Sequence, residues 1–281
     1  MEERLMHQIT GKDALARVAP LFQNWEETLI WTALEGNMGG IWAADGAEEC
    51  PRAALCRTFD FAFFAGDAET PEAETLMRAL RTELAGGYAI LTPQNEAWDA
   101  LIVRVFGAEA RPCERYAICK EGDCFDRARL QGFIDALDKE LSLAVIDDAL
   151  YERVMAEDWS RDFCATFGSA EAFAAHGLGV VALCGGELAG GAASYIYYDH
   201  GIEIEVDTRE DFRRRGIAAA CCAKLILLCL ERGLYPSWDA ANRSSVALAE
   251  KLGYREKGAY RSREVGMPAV APPVFKAKPV Q

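Results

Sequence analysis

The sequence contains no apolar run that approaches the roughly 18–20 residues needed to cross a membrane. Residues 1–13 are polar and mixed in charge, so they lack the apolar centre of a secretory signal peptide. The ten cysteines are scattered, and several lie within apolar patterns. Without a secretory signal, we therefore expect reduced, buried thiols and a cytoplasmic location.

Paired cysteines of the kind that hold a structural metal are also missing. Cys113, Cys119 and Cys124 form a loose group, but their spacing does not match the C-x-x-C pairs of a zinc site. We therefore expect no bound metal.

Basic residues are outnumbered, since 30 Lys and Arg face 44 Asp and Glu, which gives a formal net charge of −14. The resulting field repels polyanions, so neither a nucleic acid nor an anionic membrane is expected as a partner. Cationic small molecules are favoured instead. Acidity of this kind also keeps a protein in solution, and composition alone leaves both explanations open.

The length of 281 residues suits two domains of about 130–150 residues each. In the first half, the hydrophobic pattern predicts a helical region at 11–35, strands at 41–44 and 59–64, a helix at 72–84, a strand at 88–91, a helix at 95–106 and a strand at 115–119. In the second half, it predicts strands at 179–183, 192–197 and 202–206, a helix at 216–232, a strand at 234–238, a helix at 244–252 and a strand at 254–265.

Both halves therefore end in the order strand, helix, strand, helix, strand, displaced by roughly 145 residues. We interpret the chain as two related α/β domains, the first of them degenerate. The predicted division is a first domain at 1–120, a connecting segment with one helix (125–137) at 121–147, and a second domain at 148–281.

The most informative stretch lies in the second half, where a strand leads through a short loop to Arg-Arg-Arg-Gly-Ile-Ala at the start of a helix, residues 213–218. The first turn of a helix presents unpaired N–H groups and partial positive charge, which together bind phosphate. Gly216 lets the backbone approach a ligand closely, and the arginines add forked donors. An isolated R-x-x-G-x-A pattern is also typical of an ordinary Arg-rich helix start.

The motif is not isolated, because an apolar helix, a strand and a second helix follow it. In this context the sequence resembles the GNAT superfamily of N-acetyltransferases, whose hallmark is Q/R-x-x-G-x-G/A, with Arg213, Gly216 and Ala218 at the defined positions. Asn242, Ser245 and the later Leu-Gly-Tyr at 252–254 match the second signature of that superfamily, N-x-x-(S/A)…L-G-(F/Y).

The strings EIEVDT, YPSWDAAN, LAEKLGY and FAFFAGD are further similar to the GNAT family that includes the zwittermicin A resistance acetyltransferase. The substrates of that family are largely unassigned, so the resemblance implies no particular acceptor. It implies tandem GNAT-like folds, with mixed, mainly antiparallel sheets flanked by helices.

The resemblance also implies acetyl-CoA as co-substrate, in a cleft where the strand at 202–208 separates from the strand at 234–238. The resemblance implies that Val206, Asp207 and Thr208 bind the pantetheine arm. It implies that the pyrophosphate binds at Arg213, Arg214, Arg215, Gly216, Ile217 and Ala218. Asn242 and Ser245 are implied to hold the cofactor from the second helix. The first half lacks this loop, since residues 65–72 read AGDAETPE and would repel a pyrophosphate. We therefore expect one cofactor site per chain.

An amine that attacks the thioester must lose a proton, which a carboxylate on the central strand can accept. Glu203 and Glu205 lie on that strand and, at period two, share one face, so they are our candidate catalytic residues. The other interpretation is that alternating carboxylates face solvent. His200 is more typical of a turn, and Asp239 is a candidate for contact with a cationic substrate.

The proton donor is less clear from the sequence. In many GNAT enzymes a tyrosine seven residues after the motif asparagine protonates the leaving thiolate, and that position is Ala249 here. Tyr254 or Tyr260 can replace it, or the thiolate leaves without a dedicated acid.

The favoured function is acetyl transfer from acetyl-CoA to an amine of a small molecule. Ala249 favours a rival of another class, a non-catalytic acyl-CoA-binding or regulatory module, and protein N-acetylation is a third possibility.

Overall fold

The computed structural model describes residues 5–23, 25–47 and 49–266. The first half contains strands β1 (Met6–Ile9), β2 (Gly40–Ala44), β3 (Ala53–Thr58), β4 (Phe61–Gly66), β5 (Ala89–Pro93) and β6 (Arg111–Ile118). Its helices are α1 (Lys12–Val18), α2 (Thr28–Glu35), α3 (Pro71–Leu84) and α4 (Glu96–Phe106).

The remainder contains strands β7 (Leu141–Val145), β8 (Gly179–Cys184), β9 (Glu187–Tyr198), β10 (Gly201–Thr208), β11 (Tyr235–Ser237), β12 (Asp239–Ala240) and β13 (Glu256–Val265). Its helices are α5 (Arg127–Asp135), α6 (Asp148–Ala156), α7 (Ala170–His176), α8 (Ile217–Glu231) and α9 (Arg243–Leu252). The predicted repeat is present as β4-α3-β5-α4-β6 and β10-α8-β11-α9-β13.

Several elements differ from the prediction. The helical region at 11–35 is two helices, because Pro20 begins a 3-10 turn after α1 and Glu27 caps a new helix. The strand predicted from residue 59 begins at Phe61, since Phe59 adopts a left-handed φ of 54° in the turn that precedes it. The prediction missed β1, β3, β7, β12, α6 and α7. These elements are short, and β3 is buried along almost all of its length, so it shows no alternation.

Two mixed, mainly antiparallel sheets form the fold, which confirms the predicted class. The strand order is β1-β2-β3-β4-β5-β13-β6-β12 in one sheet and β11-β10-β9-β8-β7 in the other. Among the strands that the structure describes, only β4 with β5 and β10 with β11 pair in parallel. Trp238 alone separates β11 from β12, so the two sheets adjoin at that residue.

The last strands of both halves lie side by side in the eight-stranded sheet. β13, from the C-terminal half, lies between β5 and β6, whereas β6 pairs with β12 of the C-terminal half. β7, from the segment predicted as a simple connection, forms an edge of the second sheet. The domain boundaries drawn from the repeat therefore stay a prediction, because the sheets do not follow them.

Apolar packing joins the halves beside the site. Helix α2 and strands β2–β4 share one buried cluster with Ile196 and Tyr198 of β9. The hydroxyl of Thr32 in α2 donates to the carbonyl of Tyr197 over 2.7 Å. Helix α8 is apolar nearly all round and has ten buried residues, as expected for a helix covered on most sides. In the described part of the chain, no helix is long and apolar enough to span a membrane.

Candidate active site

A gap opens between β10 and β11. The two strands pair in parallel only where Gly201–Glu203 face Tyr235–Ser237, and on that side β10 continues to Thr208 without pairing to another strand of the described residues. The amide of Arg209 donates to β9, at Ala189, over 3.1 Å. Because backbone groups alternate in direction along a strand, the backbone of Val206 faces the gap. The predicted cleft is therefore present, with Val206 on its edge.

The neighbours of Val206 make contacts inside the protein. The amide of Thr208 donates to the Asp207 carboxylate over 2.6 Å, and the carbonyl of Thr208 accepts from Nε of Arg213 over 3.1 Å. By the same alternation, the backbone of Asp207 points toward β9 rather than into the gap. These contacts fix the loop that leads from β10 to α8.

Helix α8 begins at that loop without a side-chain cap. Seven other helices, α2 to α7 and α9, begin with a side chain that accepts an amide hydrogen bond. In α8 the first backbone bond runs from Ala220 to the carbonyl of Gly216, so the amides of Ile217 and Ala218 are available to an outside ligand. Gly216 has a left-handed φ of 81°, and a Cβ there would meet nothing within 4 Å, so the approach is open.

The three arginines of this loop differ in their partners. Arg213 lies 3.9 Å from Asp207, and Arg215 is 3.1 Å from Asp138 and 3.4 Å from Glu140. Arg214 has a left-handed φ of 67° and forms no ion pair with any described residue. Its charge is therefore the one left for an anion.

Asn242 and Ser245 begin the last helix. Asn242 accepts from the amide of Ser245 over 3.0 Å as the cap of α9, and the Ser245 hydroxyl accepts from Nε1 of Trp238 over 3.0 Å. Asn95 caps α4 in the first half in the same way. The asparagine of the second signature is thus explained by capping in both halves.

A cavity of about 350 Å³ lies at the closed end of the gap, between the two halves. It is lined by Leu29, Phe59, Asp60, Phe61, Tyr88, Ile90, Arg115, Asp162, Ala165, Thr166, Tyr195, Glu203, Ile204, Glu205 and Asp239. Both candidate catalytic glutamates face it, so the interpretation that they point to bulk solvent is wrong. A register shift in the pairing of β9 with β10 leaves Tyr195 as the extra residue on β9, beside these glutamates.

Glu203 is only 5% exposed, at the point where β10 and β11 part. One oxygen accepts from the Thr28 hydroxyl over 2.5 Å, and the other, Oε1, has no hydrogen-bond partner among the described residues. Burial raises the pKa of Glu203, and nearby Lys120 and the bond from Thr28 oppose that shift. The unpartnered oxygen is available to a donor in the cavity.

Glu205 lies two residues further along the open edge and is half-buried. Burial raises the pKa of Glu205 to about 8, and repulsion from Asp162 and Asp207 acts in the same direction. A carboxyl with such a pKa is a much stronger base than an ordinary one, and it exchanges protons near neutral pH.

Asp239 is engaged rather than free. Nε of Arg115 donates to it over 2.7 Å, and the Tyr260 hydroxyl lies 3.0 Å from both of its oxygens. The Arg115 guanidinium also lies 4.9 Å from the centre of the Phe61 ring. This arrangement makes Asp239 the counterion of Arg115, so its predicted contact with a cationic substrate would have to compete with that pair.

The other candidates for proton transfer lie outside the cavity lining. The Tyr254 hydroxyl donates to the carbonyl of Pro236 over 2.5 Å and is buried. Ala249 is fully buried in α9, and His200 is exposed in the turn between β9 and β10, as its sequence context suggested. Burial and Asp239 raise the pKa of Tyr260, which makes it a poor acid.

Sequence patterns gave no signal for several cavity residues. Asp60, Tyr88 and Arg115 of the lining and Thr28, which bonds to Glu203, come from the first half, and Asp162 comes from the segment after α6. Tertiary packing of the first half and of this segment brings them to β10. Across residues 5–23, 25–47 and 49–266, no group of three or more His, Cys, Asp or Glu side chains is arranged to hold a metal ion.

Comparisons with known proteins agree with this geometry. A family model described as GNAT acetyltransferase matches residues 19–262. The solved structure of a GCN5-related N-acetyltransferase-like protein from Streptococcus suis is 44% identical, with a TM-score of 0.81, over 90% of this chain and 98% of that one.

Two relatives of lower sequence identity also match this chain. The uncharacterised N-acetyltransferase YdfB of Bacillus subtilis is 28% identical over 167 residues, which span 59% of this chain and 61% of the relative. A tandem GNAT protein from the clavulanic acid biosynthesis pathway is 10% identical, with a TM-score of 0.57, over 93% of this chain and 97% of that one. At that identity the likeness concerns the fold alone.

Proposed function

Because this chain belongs to the GNAT acetyltransferase family, we propose that it transfers the acetyl group of acetyl-CoA to an amine of a small molecule. One arrangement carries the proposal. The open edge of β10 runs from the uncapped start of α8 to the cavity that contains Glu203 and Glu205. A thioester whose phosphates are held at α8 therefore reaches the two carboxyl groups along that edge.

The phosphate end is proposed to bind the amides of Ile217 and Ala218, with Arg214 as the free cation and Gly216 leaving room. The backbone of Val206 pairs with the amides of the pantetheine arm as an added strand would. The other residues implied by the resemblance, namely Asp207, Thr208, Arg213, Arg215, Asn242 and Ser245, act in this proposal by shaping the loop and α9 through the contacts described above.

The thioester supplies the acetyl group, and the protein supplies position and proton transfer. Glu205 takes the proton from the ammonium of the acceptor, because its raised pKa of about 8 suits exchange with an amine. Glu203, with its free oxygen deeper in the cavity, orients the same nitrogen. The leaving group is the thiolate of CoA. Because an ordinary thiol has a pKa near 8.5, its thiolate is stable enough to leave without a dedicated acid. That stability explains how the reaction can proceed with Ala249 at the position where many GNAT enzymes have a tyrosine.

The test is amine-dependent release of CoA, followed across a library of small amines. We expect release with a subset of amines, and Glu205→Gln should lower the rate without weakening acetyl-CoA binding. Tight binding of acetyl-CoA with no release for any amine would instead support the non-catalytic acyl-CoA-binding module, which Ala249 favours. Acetylation of protein but not small amines would support the third function.

Two finer predictions stay proposals of this function. The likeness to the family of the zwittermicin A resistance acetyltransferase narrows the chain within the GNAT enzymes but names no acceptor. A cytoplasmic location remains an expectation that rests on the sequence and fits the absence of disulfides among the ten cysteines.

A further inference from the structure

The cavity contains more carboxyl groups than an acetyl transfer to one amine requires. Its lining contains five carboxyl side chains and one cation, Arg115, which is paired with Asp239. Four carboxyl groups therefore remain without a cation from the lining, namely those of Asp60, Asp162, Glu203 and Glu205.

These four groups are arranged by depth. Glu203 is buried at the base, Glu205 is half-buried, and Asp60 and Asp162 are exposed at the mouth. Neither aspartate forms an ion pair or side-chain hydrogen bond with any residue that the structure describes. Burial and repulsion from Asp162 raise the pKa of Asp60, and the same aspartate acts on Glu205, so the groups share one field.

One carboxyl oxygen at the base of the cavity has no donor within hydrogen-bond distance and angle among the described residues. Oε1 of Glu203 is buried without a partner among the described residues, while its side chain lines the cavity. An unmade hydrogen bond on a buried carboxyl is unfavourable, so this oxygen is suited to a donor on the ligand. The observation is independent of the charge at the mouth.

The walls between base and mouth are aromatic. Phe59 and Phe61 each contact the ring of Tyr195 edge-on, with ring centres 5.7 and 6.1 Å apart. Aromatic faces attract cations and also cover hydrocarbon. The volume of about 350 Å³ lies at the small end of the roughly 300–1,000 Å³ typical of ligand sites.

We propose that the acceptor is a short dication with two ammonium groups. One ammonium lies at Glu203 and Glu205 and is the one acetylated, and the second lies between Asp60 and Asp162 at the mouth. The hydrocarbon that joins them contacts the aromatic wall. This inference rests on the proposed function, since it names the substrate class of the same site.

The test compares diaminoalkanes with monoamines of equal chain length, using kcat/KM for CoA release. We expect the matching diamine to be preferred by roughly 10-fold or more at low salt, because each exposed charge pair contributes a factor of up to about 5. The preference should shrink as salt is added, since both aspartates are exposed. Equal kcat/KM for diamines and monoamines of every length would overturn the proposal.

Variants locate the second ammonium. In Asp60→Asn with Asp162→Asn, we expect the ratio of KM for the diamine to KM for the monoamine to rise roughly 10-fold. Asp123→Asn removes one such carboxylate at an exposed turn outside the lining and serves as the control for each of the two substitutions made singly. An unchanged ratio in the double variant would contradict the assignment of this subsite.

Failure of the proposed function has a different signature. If no amine releases CoA, calorimetry of the diamine with the wild-type protein still measures occupancy of the cavity. Binding that weakens in the double variant but not in Asp123→Asn would support the dication site without acetyl transfer. If no diamine binds in the presence of CoA but monoamines are acetylated, the proposal of a dication acceptor is refuted and the proposed acetyltransferase function is retained.

Discussion

The two halves repeat one order of elements but differ at the point where a thioester carrier would bind. In the first half, β4 pairs with β5 over four residues, Phe61 to Phe64, out of six. In the second, β10 pairs with β11 over three residues out of eight, which leaves the rest of its edge open. The same order of elements therefore gives a mostly paired strand edge in the first half and a gap between strands in the second.

The helices that follow differ in the same sense. Thr70 caps α3 by accepting from the amide of Ala73 over 3.1 Å, and Asp67, Glu69 and Glu72 surround that end. Helix α8 has no cap and is preceded by arginines. A phosphate site needs both an unoccupied helix end and the right sign of charge, and of these two helices α8 has both and α3 has neither.

The largest expected effect tests this contrast directly. Gly216→Glu places a carboxylate before the free amides of α8 and should abolish acetyl-CoA binding measured by calorimetry. Gly86→Glu is the matched control in the first half, because that glycine also has a positive φ and open space around it. Unchanged affinity in Gly216→Glu would refute the placement of the phosphates.

Catalysis is the next largest effect, and it concerns β10 alone. Glu205→Gln should lower kcat by roughly 10²–10⁴-fold, since the amide cannot accept the proton. For the wild type, kcat/KM should rise with pH up to about 8, because the base acts only when deprotonated. The variant should lose that rise and recover part of its rate at high pH, where the free amine predominates.

The control for this prediction is acetyl-CoA affinity, which should barely change in Glu205→Gln. If Glu203→Gln, rather than Glu205→Gln, abolishes turnover, the roles of the two glutamates are reversed. Wild-type rates in both variants would place the base elsewhere.

Glu27, in the first half, is a buried carboxyl that should affect the stability of the protein. Burial raises the pKa of Glu27 from its ordinary 4.5 to about 8, with help from Asp239 and Glu203. The unfolded chain loses its proton at lower pH than the folded one, so this group makes the free energy of unfolding fall as pH rises from 4.5 to 8. Glu27→Gln should therefore gain stability relative to wild type at pH 8 and not at pH 4.

Denaturant titrations at both pH values measure this difference. Gln keeps an oxygen for the amide of Leu29, which Glu27 caps, so the loss of the cap does not confuse the result. A variant that is equally destabilised at both pH values would show that Glu27 acts only through packing.

The smallest effect concerns the cap that closes the first half. Thr70→Ala should destabilise the protein by about 1 kcal/mol through loss of the α3 cap. Acetyl-CoA binding should stay as it is, since the acidic residues of that loop remain. A second equivalent of bound acetyl-CoA in this variant would show that the cap alone had closed a second site.

The strand, loop and helix that carry the signature of the second half could be predicted from the sequence, because they are consecutive along the chain. The end of β10, the arginine loop with Gly216 and the start of α8, which we propose hold the phosphates, lie within about twenty consecutive residues, although Arg215 also pairs with the distant Asp138 and Glu140. The period of two along β10 likewise predicted that Glu203 and Glu205 share a face. It could not tell which environment that face meets.

That environment was decided only by the tertiary structure. Thr28, Asp60 and Arg115 reach β10 because α2, β4 and β6 pack across from the other half, and Asp162 reaches it from the turn after α6. No local pattern marks such contacts. The insertion of β13 between β5 and β6 was equally hidden, since either neighbour of β5 satisfies the same backbone hydrogen bonds. Short-range chemistry is written in consecutive residues, whereas burial, pKa and the acidic cavity arise from residues that only the assembled fold brings together.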